Sequence, residues 1–252
     1  VRLLLTLFTK ELRSFFYSPI AYVVLALVMI INGLSFRAAI TVLESKPQQA
    51  SIVTWTFSSQ WFWLSYFFVF PLLTMRLFAE ERKLGTWETL CTAPVRTWQI
   101  VLAKYLACVV FYCLLWVPSL ANFAIFQTMT AGAADVPQGA LIGTYILLLA
   151  MGLFNLSIGC LASSLTANQI VAAVVSFTAS LMHFLVGAFI LYFQRAGQKA
   201  FVDFVYYIAS VQHIETFTNG LLDTRPLVYY TSMSLLFLVI THQVLEFRRW
   251  RV

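Results

Sequence analysis

Residues 100–129 read IVLAKYLACVVFYCLLWVPSLANFAIFQTM, thirty positions with Lys104 as their one charge. About 20 apolar residues in a row suffice for a helix to cross the hydrocarbon core of a bilayer. Hydrocarbon offers no partner to a backbone N–H or C=O, so only helices and closed barrels cross it. A barrel strand would alternate in polarity over about ten residues. This run does not alternate, and it reads as a helix.

The composition around it agrees. Of 252 residues, 61% are hydrophobic and 10% charged, and the mean hydropathy is +0.84. A soluble domain is nearer half apolar and about a quarter charged. The net charge of +6 could point to nucleic acid, but most Lys and Arg residues flank apolar runs, as at a membrane surface, so no nucleic-acid partner is expected. Cys91, Cys108, Cys113 and Cys160 show neither CxxC spacing nor Cys/His pairing. They read as small packing residues rather than a disulfide or zinc site.

The expected fold class is an all-α polytopic membrane protein, with an N-terminal interfacial amphipathic helix, six transmembrane helices and short outer-face helices between spans five and six. In residues 1–17, Leu5, Phe8, Leu12 and Phe15 recur at helical spacing, and Arg2, Thr6, Thr9, Lys10 and Arg13 fill much of the remainder. That pattern suits a helix lying in the interface plane; a frayed terminus is the alternative. Lys10, Glu11 and Arg13 also interrupt the apolar stretch that a cleavable signal peptide would need, so none is expected.

Ser18-Pro19 reads as an N-cap and first-turn proline. Span one then runs from Pro19 to Ile40, followed by a polar stretch, Thr41 to Thr56. Span two covers Phe57 to Phe78, with Trp55, Trp61 and Trp63 as an interfacial belt and Pro71 as a kink. Span three is Ile100 to Met129 and span four Leu141 to Leu161. A polar connector, Ser163 to Gln169, leads into span five, ending near Phe193. Span six is Leu227 to Leu245. Residues 194–225 carry Phe201, Phe204, Val205, Ile208 and Val211 at helical spacing, interrupted by Asp203, His213 and Glu215. An acidic residue at the bilayer centre costs about 2.5–3.5 kcal/mol, so these read as amphipathic helices at one face.

Six spans put both termini on one side. Eleven of the 16 basic residues then share that side, among them Arg76, Arg82, Lys83, Arg96, Lys104, Arg248 and Arg249, and five lie opposite. The bias predicts cytoplasmic termini.

The charged segment 79–97 is the most informative loop. Gly85 punctuates it and Pro94 ends it, which leaves room for a two-turn helix from Thr86 to Ala93. Trp87 and Leu90 can form one apolar edge, suited to a partner's groove. A solvated loop that only fixes topology is the alternative.

Phe70-Pro71, Thr74-Met75-Arg76, Glu80-Glu81, Gly85-Thr86, Glu88, Leu90, Pro94 and Lys104 together resemble the first cytoplasmic loop of type-2 ABC exporter permeases. Three further stretches resemble the gliding-motility-associated branch: Arg13-Ser14-Phe15-Phe16 with Ser18-Pro19; Ala162 to Thr166 with Asn168-Gln169; and Gly220 to Arg225 with Tyr229. The resemblance implies a permease that dimerises, with itself or a related chain, and docks cytosolic ATPases. It implies that Glu80, Glu81, Arg82, Gly85, Thr86, Trp87, Glu88, Leu90 and Pro94 form the coupling region. Ser163, Ser164, Asn168 and Gln169 would be a second, smaller contact, flanked by Lys10, Glu11 and Arg13 of the interfacial helix. It further implies a membrane-anchored extracytoplasmic subunit, met by Phe204, Ile208, His213 and Glu215, and either export or mechanical work on that subunit.

No Gly-x-x-x-x-Gly-Lys-Ser/Thr stretch occurs, so ATP and Mg are expected on the partner ATPase, with no cofactor bound by this chain. His183, inside span five, is a transport-path candidate, but a neutral imidazole bonded to a neighbouring helix is the favoured reading. Asn32, Asn122 and Asn155 read as interhelical hydrogen-bonders. His213 and Glu215, two apart, fall on different helical faces and make a poor metal pair. A non-transporting scaffold and an ATP-independent channel are the competing classes. No catalytic or cargo-binding residue is assigned.

Overall fold

The computed structural model describes residues 2–45, 50–92, 94–130, 136–188 and 204–249. Among them the chain is all-helical, with no strand. Helix α1 (Arg2–Tyr17) is followed by α2 (Pro19–Ser45), α3 (Ile52–Phe57), α4 (Gln60–Thr74), α5 (Ala79–Lys83) and α6 (Thr86–Thr92). Then come α7 (Thr97–Met129), α8 (Gln138–Leu165), α9 (Gln169–Ala188), α10 (Ser210–Thr218) and α11 (Thr224–Arg249). Five of these (α2, α7, α8, α9 and α11) are long and apolar enough to cross a membrane.

Helix α8 is the axis of the bundle. It packs against α4, α7, α9, α10 and α11, and 78% of its most apolar stretch is buried, against 22% for α9 and α11. Two glycines admit its neighbours. A Cβ on Gly152 would lie 2.2 Å from the Tyr112 ring of α7, and one on Gly159 would lie 2.1 Å from Oγ1 of Thr74 in α4. Small residues let helix backbones approach closely where lipid supplies no hydrophobic drive. The peripheral helices keep apolar side chains such as Val23, Ile30, Ile170, Val174 and Leu235 exposed.

Three boundaries differ from the sequence expectation. Helix α2 continues to Ser45, into the stretch read as polar. Thr41 and Ser45 fold their hydroxyls back onto the carbonyls of Arg37 and Val42 (3.1 and 2.9 Å), so their polarity does not end the helix. Second, the stretch read as span two, Phe57 to Phe78, is a shorter helix, α4, from Gln60 to Thr74. Helix α3 takes up the end of the expected polar stretch and Phe57, and the chain breaks at Ser58-Ser59. Ser51 and Ser59 cap α3 and α4 by accepting from the N–H groups of Thr54 and Phe62. Ser35 of α2 holds the break, donating to the Thr56 carbonyl at 2.7 Å and pairing with the Ser59 hydroxyl at 2.6 Å. Pro71, read as a mid-span kink, sits one turn before the end of α4 at Thr74.

Third, Phe204 to Val211 do not share a helix. Ala209 is extended (φ −74°, ψ 109°) and starts α10 afresh. The expected end of span five, together with Phe201 and Asp203, lies outside the described residues.

Candidate functional site

The segment after α4 becomes a hairpin of two short helices at the bundle end that also holds α1 and the starts of α2, α7 and α9. Gly85, at φ +72°, makes the reversal between α5 and α6, a left-handed conformation that costs residues with a Cβ. Ser163, in the last turn of α8, grips the hairpin's base. Its Oγ accepts from the backbone N–H groups of Phe78 and Ala79 (3.0 and 3.1 Å) and lies 3.3 Å from the Met75 carbonyl as donor. Two buried amides left unpaired by the end of α4 are thereby satisfied.

Lys104 supplies the second attachment. This residue of α7 is 3% exposed. Its ammonium lies 2.8 Å from a Glu81 carboxylate oxygen on α5 and 3.1 Å from one of Glu11 on α1; Glu11 also meets Lys10 at 3.4 Å. The ammonium stands 5.8 Å above the Phe78 ring, an added cation–π attraction. A buried charge is tolerated only when paired and hydrogen-bonded, and two carboxylates provide this.

The C-terminal carbonyls of α8 receive two guanidinium groups. Arg82 donates to the Ser164 carbonyl at 3.1 Å, and Arg248, in the last turn of α11, donates to that of Leu165 at 2.9 Å. Cations at a helix C-terminus meet both free carbonyls and the negative end of the helix dipole. Burial and the nearby Arg248 lower the Arg82 pKa. Arg249 reaches the Val95 carbonyl at 3.2 Å and ties α11 to the start of α7.

The residues expected to dock a partner therefore divide. Ser163 and Ser164, read as part of an exposed connector, are fully buried in α8; the Ser163 hydroxyl is spent on the hairpin's backbone and that of Ser164 on the Leu161 carbonyl of its own helix. Trp87, read as a free apolar edge with Leu90, turns inward, 6% exposed, with its ring 6.4 Å from that of Phe78. Leu90 is half-buried against the same core. Glu11 and Glu81 face Lys104. The outward face carries Arg13, Leu84, Gly85, Thr86, Glu88, Thr89 and Pro94, with Asn168 nearby on the α8–α9 turn. Lys10 and Glu80 lie on the rim, and Asn168 caps α9 through the Ile170 N–H at 2.9 Å, beside the half-buried Gln169. Ala93, the expected end of the short helix, lies outside the described residues, and α6 stops at Thr92.

Sequence reasoning read Lys104 as a basic flank and missed its role as the common counter-ion. One signal was available: a lysine one turn into an apolar run needs a carboxylate, and Glu11 and Glu81 are acidic residues in the two segments that precede it.

The opposite end has a different character. His183 Nδ1 lies 3.1 Å from Ser210 Oγ, and its Nε2 lies 3.3 Å from the Tyr229 hydroxyl. His213 Nδ1 lies 2.9 Å from the Tyr230 hydroxyl. The favoured reading of His183, a ring bonded to neighbouring helices, is what the structure has. Asn155 likewise donates from α8 to the Tyr66 hydroxyl of α4 at 2.7 Å. Burial lowers the pKa of His213 to about 4. His213 is therefore no surface contact, whereas Phe204 and Glu215 are exposed and Ile208 half-buried.

These features define a multi-pass helical membrane protein that presents, at one end, a short helical hairpin bolted to its spans. The family model described as ABC-2 family transporter protein matches residues 43–242, and the chain belongs to that family. Its members are transmembrane subunits, generally not catalytic themselves, that normally pair with a cytosolic ATPase subunit. No curated protein matches the sequence.

Proposed function

We propose that this chain is the permease subunit of an ATP-driven complex of the gliding-motility and secretion-associated type, and that a cytosolic ATPase seats against the α5–α6 hairpin. The observation that carries this reading is the mechanical connection of that hairpin. Ser163, Lys104 and Arg82 join it to α8, α7 and α1 within a few ångströms, so a push on its outer face moves spans rather than bending a loop. ATP and Mg act on the partner, and closure of the ATPase pair biases two arrangements of the bundle.

In this reading α4 makes a sixth crossing. Its 15 residues cover about 22 Å, and α3 and the turn after Thr74 complete the distance to about 30 Å. The termini then lie together on the cytoplasmic face of a bacterial inner membrane, α1 lies in the interface, and a second copy or a related permease completes the dimer. Phe204 and Glu215, with the exposed Leu221 and Leu222, face an extracytoplasmic subunit on which the complex does work or past which cargo leaves.

Detergent co-purification with the ATPase tests the docking face. Glu88→Arg combined with Leu84→Asp alters two exposed positions and spares Trp87. We expect the variant to fold and to lose the ATPase. Full retention by a folded variant removes the hairpin as the dock; no recovery even by wild type favours a scaffold or a channel.

A further inference from the structure

A cavity of about 180 Å³ lies where α1, α2, α4, α5 and α7 meet, and the coupling reading does not use it. Its walls have two characters. Phe15, Ile20, Ala21, Val24, Leu72 and Leu73 form an apolar half, and Lys10, Arg76, Glu80 and Glu81 form a charged half, with Glu11 and Lys104 behind them. The inner charges are committed: Lys104 is held by Glu11 and Glu81 at 3.1 and 2.8 Å. The mouth charges are held more loosely. Arg76 and Glu80 are 36% and 40% exposed along their side chains, and the closest approach between them is 3.8 Å, an ion pair too long for a hydrogen bond. Arg76 Nη1 donates to Ser18 at 3.2 Å, but its Nε is enclosed without a hydrogen bond, as is the second Glu81 oxygen. One wall thus holds a cationic N–H and a carboxylate oxygen that each lack a hydrogen bond, costly to leave so.

We propose that this cavity binds the headgroup of a zwitterionic phospholipid of the phosphatidylethanolamine class. The phosphate accepts from the Arg76 guanidinium and the Lys10 ammonium, and the primary ammonium donates to Glu80 and Glu81. The start of one acyl chain lies against Ala21, Val24 and Leu72. An anionic headgroup satisfies the cations and leaves the carboxylates repelled. A quaternary ammonium has no N–H for them. The volume is below the about 300–1,000 Å³ of a pocket for a whole drug-sized ligand, so most of the lipid stays in the bilayer, beside the exposed Tyr22 and Val23 of α2. The proposal rests on the reading that α1 and the start of α2 lie at the membrane surface. A lipid seated there touches the same Glu81 that anchors the coupling hairpin.

The test uses the full chain, purified in detergent, stripped of lipid and studied without any ATPase, so its outcome is independent of docking. Native mass spectrometry follows the binding of phosphatidylethanolamine, phosphatidylcholine, phosphatidylglycerol and the acyl-free glycerophosphoethanolamine. We expect one phosphatidylethanolamine per chain, held about tenfold or more tighter than the other three probes. Arg76→Gln lowers that affinity by about tenfold. Val24→Phe, which fills the apolar half and keeps every charge, lowers it as well, with helix content by circular dichroism unchanged. Should Arg76→Gln not fold, Val24→Phe and the headgroup comparison on wild type still decide. Equal affinity for the three lipids, or wild-type retention by folded variants, overturns the site. Glycerophosphoethanolamine binding as tightly as the lipid overturns the lipid assignment in favour of a soluble zwitterion.

Discussion

The two ends of this bundle solve the same problem with opposite chemistry. At the hairpin end, Lys104 is ion-paired with both Glu11 and Glu81. At the other end, His183, Ser210, His213, Tyr229 and Tyr230 are joined by hydrogen bonds of 2.9–3.4 Å between rings and hydroxyls. An ionic cluster joins separate elements strongly and fails badly when one member is removed. A ring-and-hydroxyl network holds loosely and responds to protonation. In the proposed mechanism this suits a transmitting end that must not slip and an outer end that must rearrange.

Removing the ionic anchor gives the largest expected effect. Lys104→Met leaves the half-buried Glu81 without its cation and Glu11 with Lys10 alone, and costs about 3–5 kcal/mol, read by reversible unfolding in mixed micelles. Adding Glu11→Gln and Glu81→Gln restores much of the loss; a triple variant no better than the single would show that packing, not charge, holds this end.

Acid separates the ends next. The His213 pKa of about 4 lies below the 6.5 of a free imidazole; burial is the cause, which a backbone hydrogen bond at Tyr206 and the charge of Asp223 partly oppose. Between these values the unfolded chain binds more protons than the folded one, so stability rises with pH. It is full above about pH 6.5 and falls by about 2–3 kcal/mol as pH drops to about 4. His213→Gln should flatten that part of the pH profile. A slope unchanged in the variant assigns the proton elsewhere.

Ser163→Ala comes third. It orphans the buried N–H groups of Phe78 and Ala79 and costs about 1–3 kcal/mol, and amide hydrogen exchange should quicken at the hairpin's base before it quickens at α10. Arg248→Gln is the smallest. It removes one exposed contact to the end of α8, worth at most about 1 kcal/mol, and a larger loss in the same unfolding measurement would make the α8 C-terminus a principal joint.

Helices α2, α7, α8, α9 and α11 were legible from apolar run length, because hydrocarbon forces the backbone to satisfy itself locally. The second arm of the hairpin was legible too, since Gly85 and Pro94 act through their own backbones; its first arm, α5, was not. The late start of the second apolar helix was not. Ser59 caps α4 locally, but the break is also held by Ser35, 24 residues upstream, which pairs with the Ser59 hydroxyl. Nor was the facing of the coupling residues. Trp87 and Leu90 look the same in sequence whether their shared edge meets a partner or their own core, and the choice fell to Phe78, placed by a serine 85 residues away. By itself the sequence determined that this is a membrane-embedded helical bundle with a charged loop at one face, because length, polarity and backbone chemistry are local properties. Tertiary structure alone decided that Lys104 is the joint of three elements and that Ser163 is a clasp, because pairing a buried charge or amide depends on distances between segments that no local pattern carries.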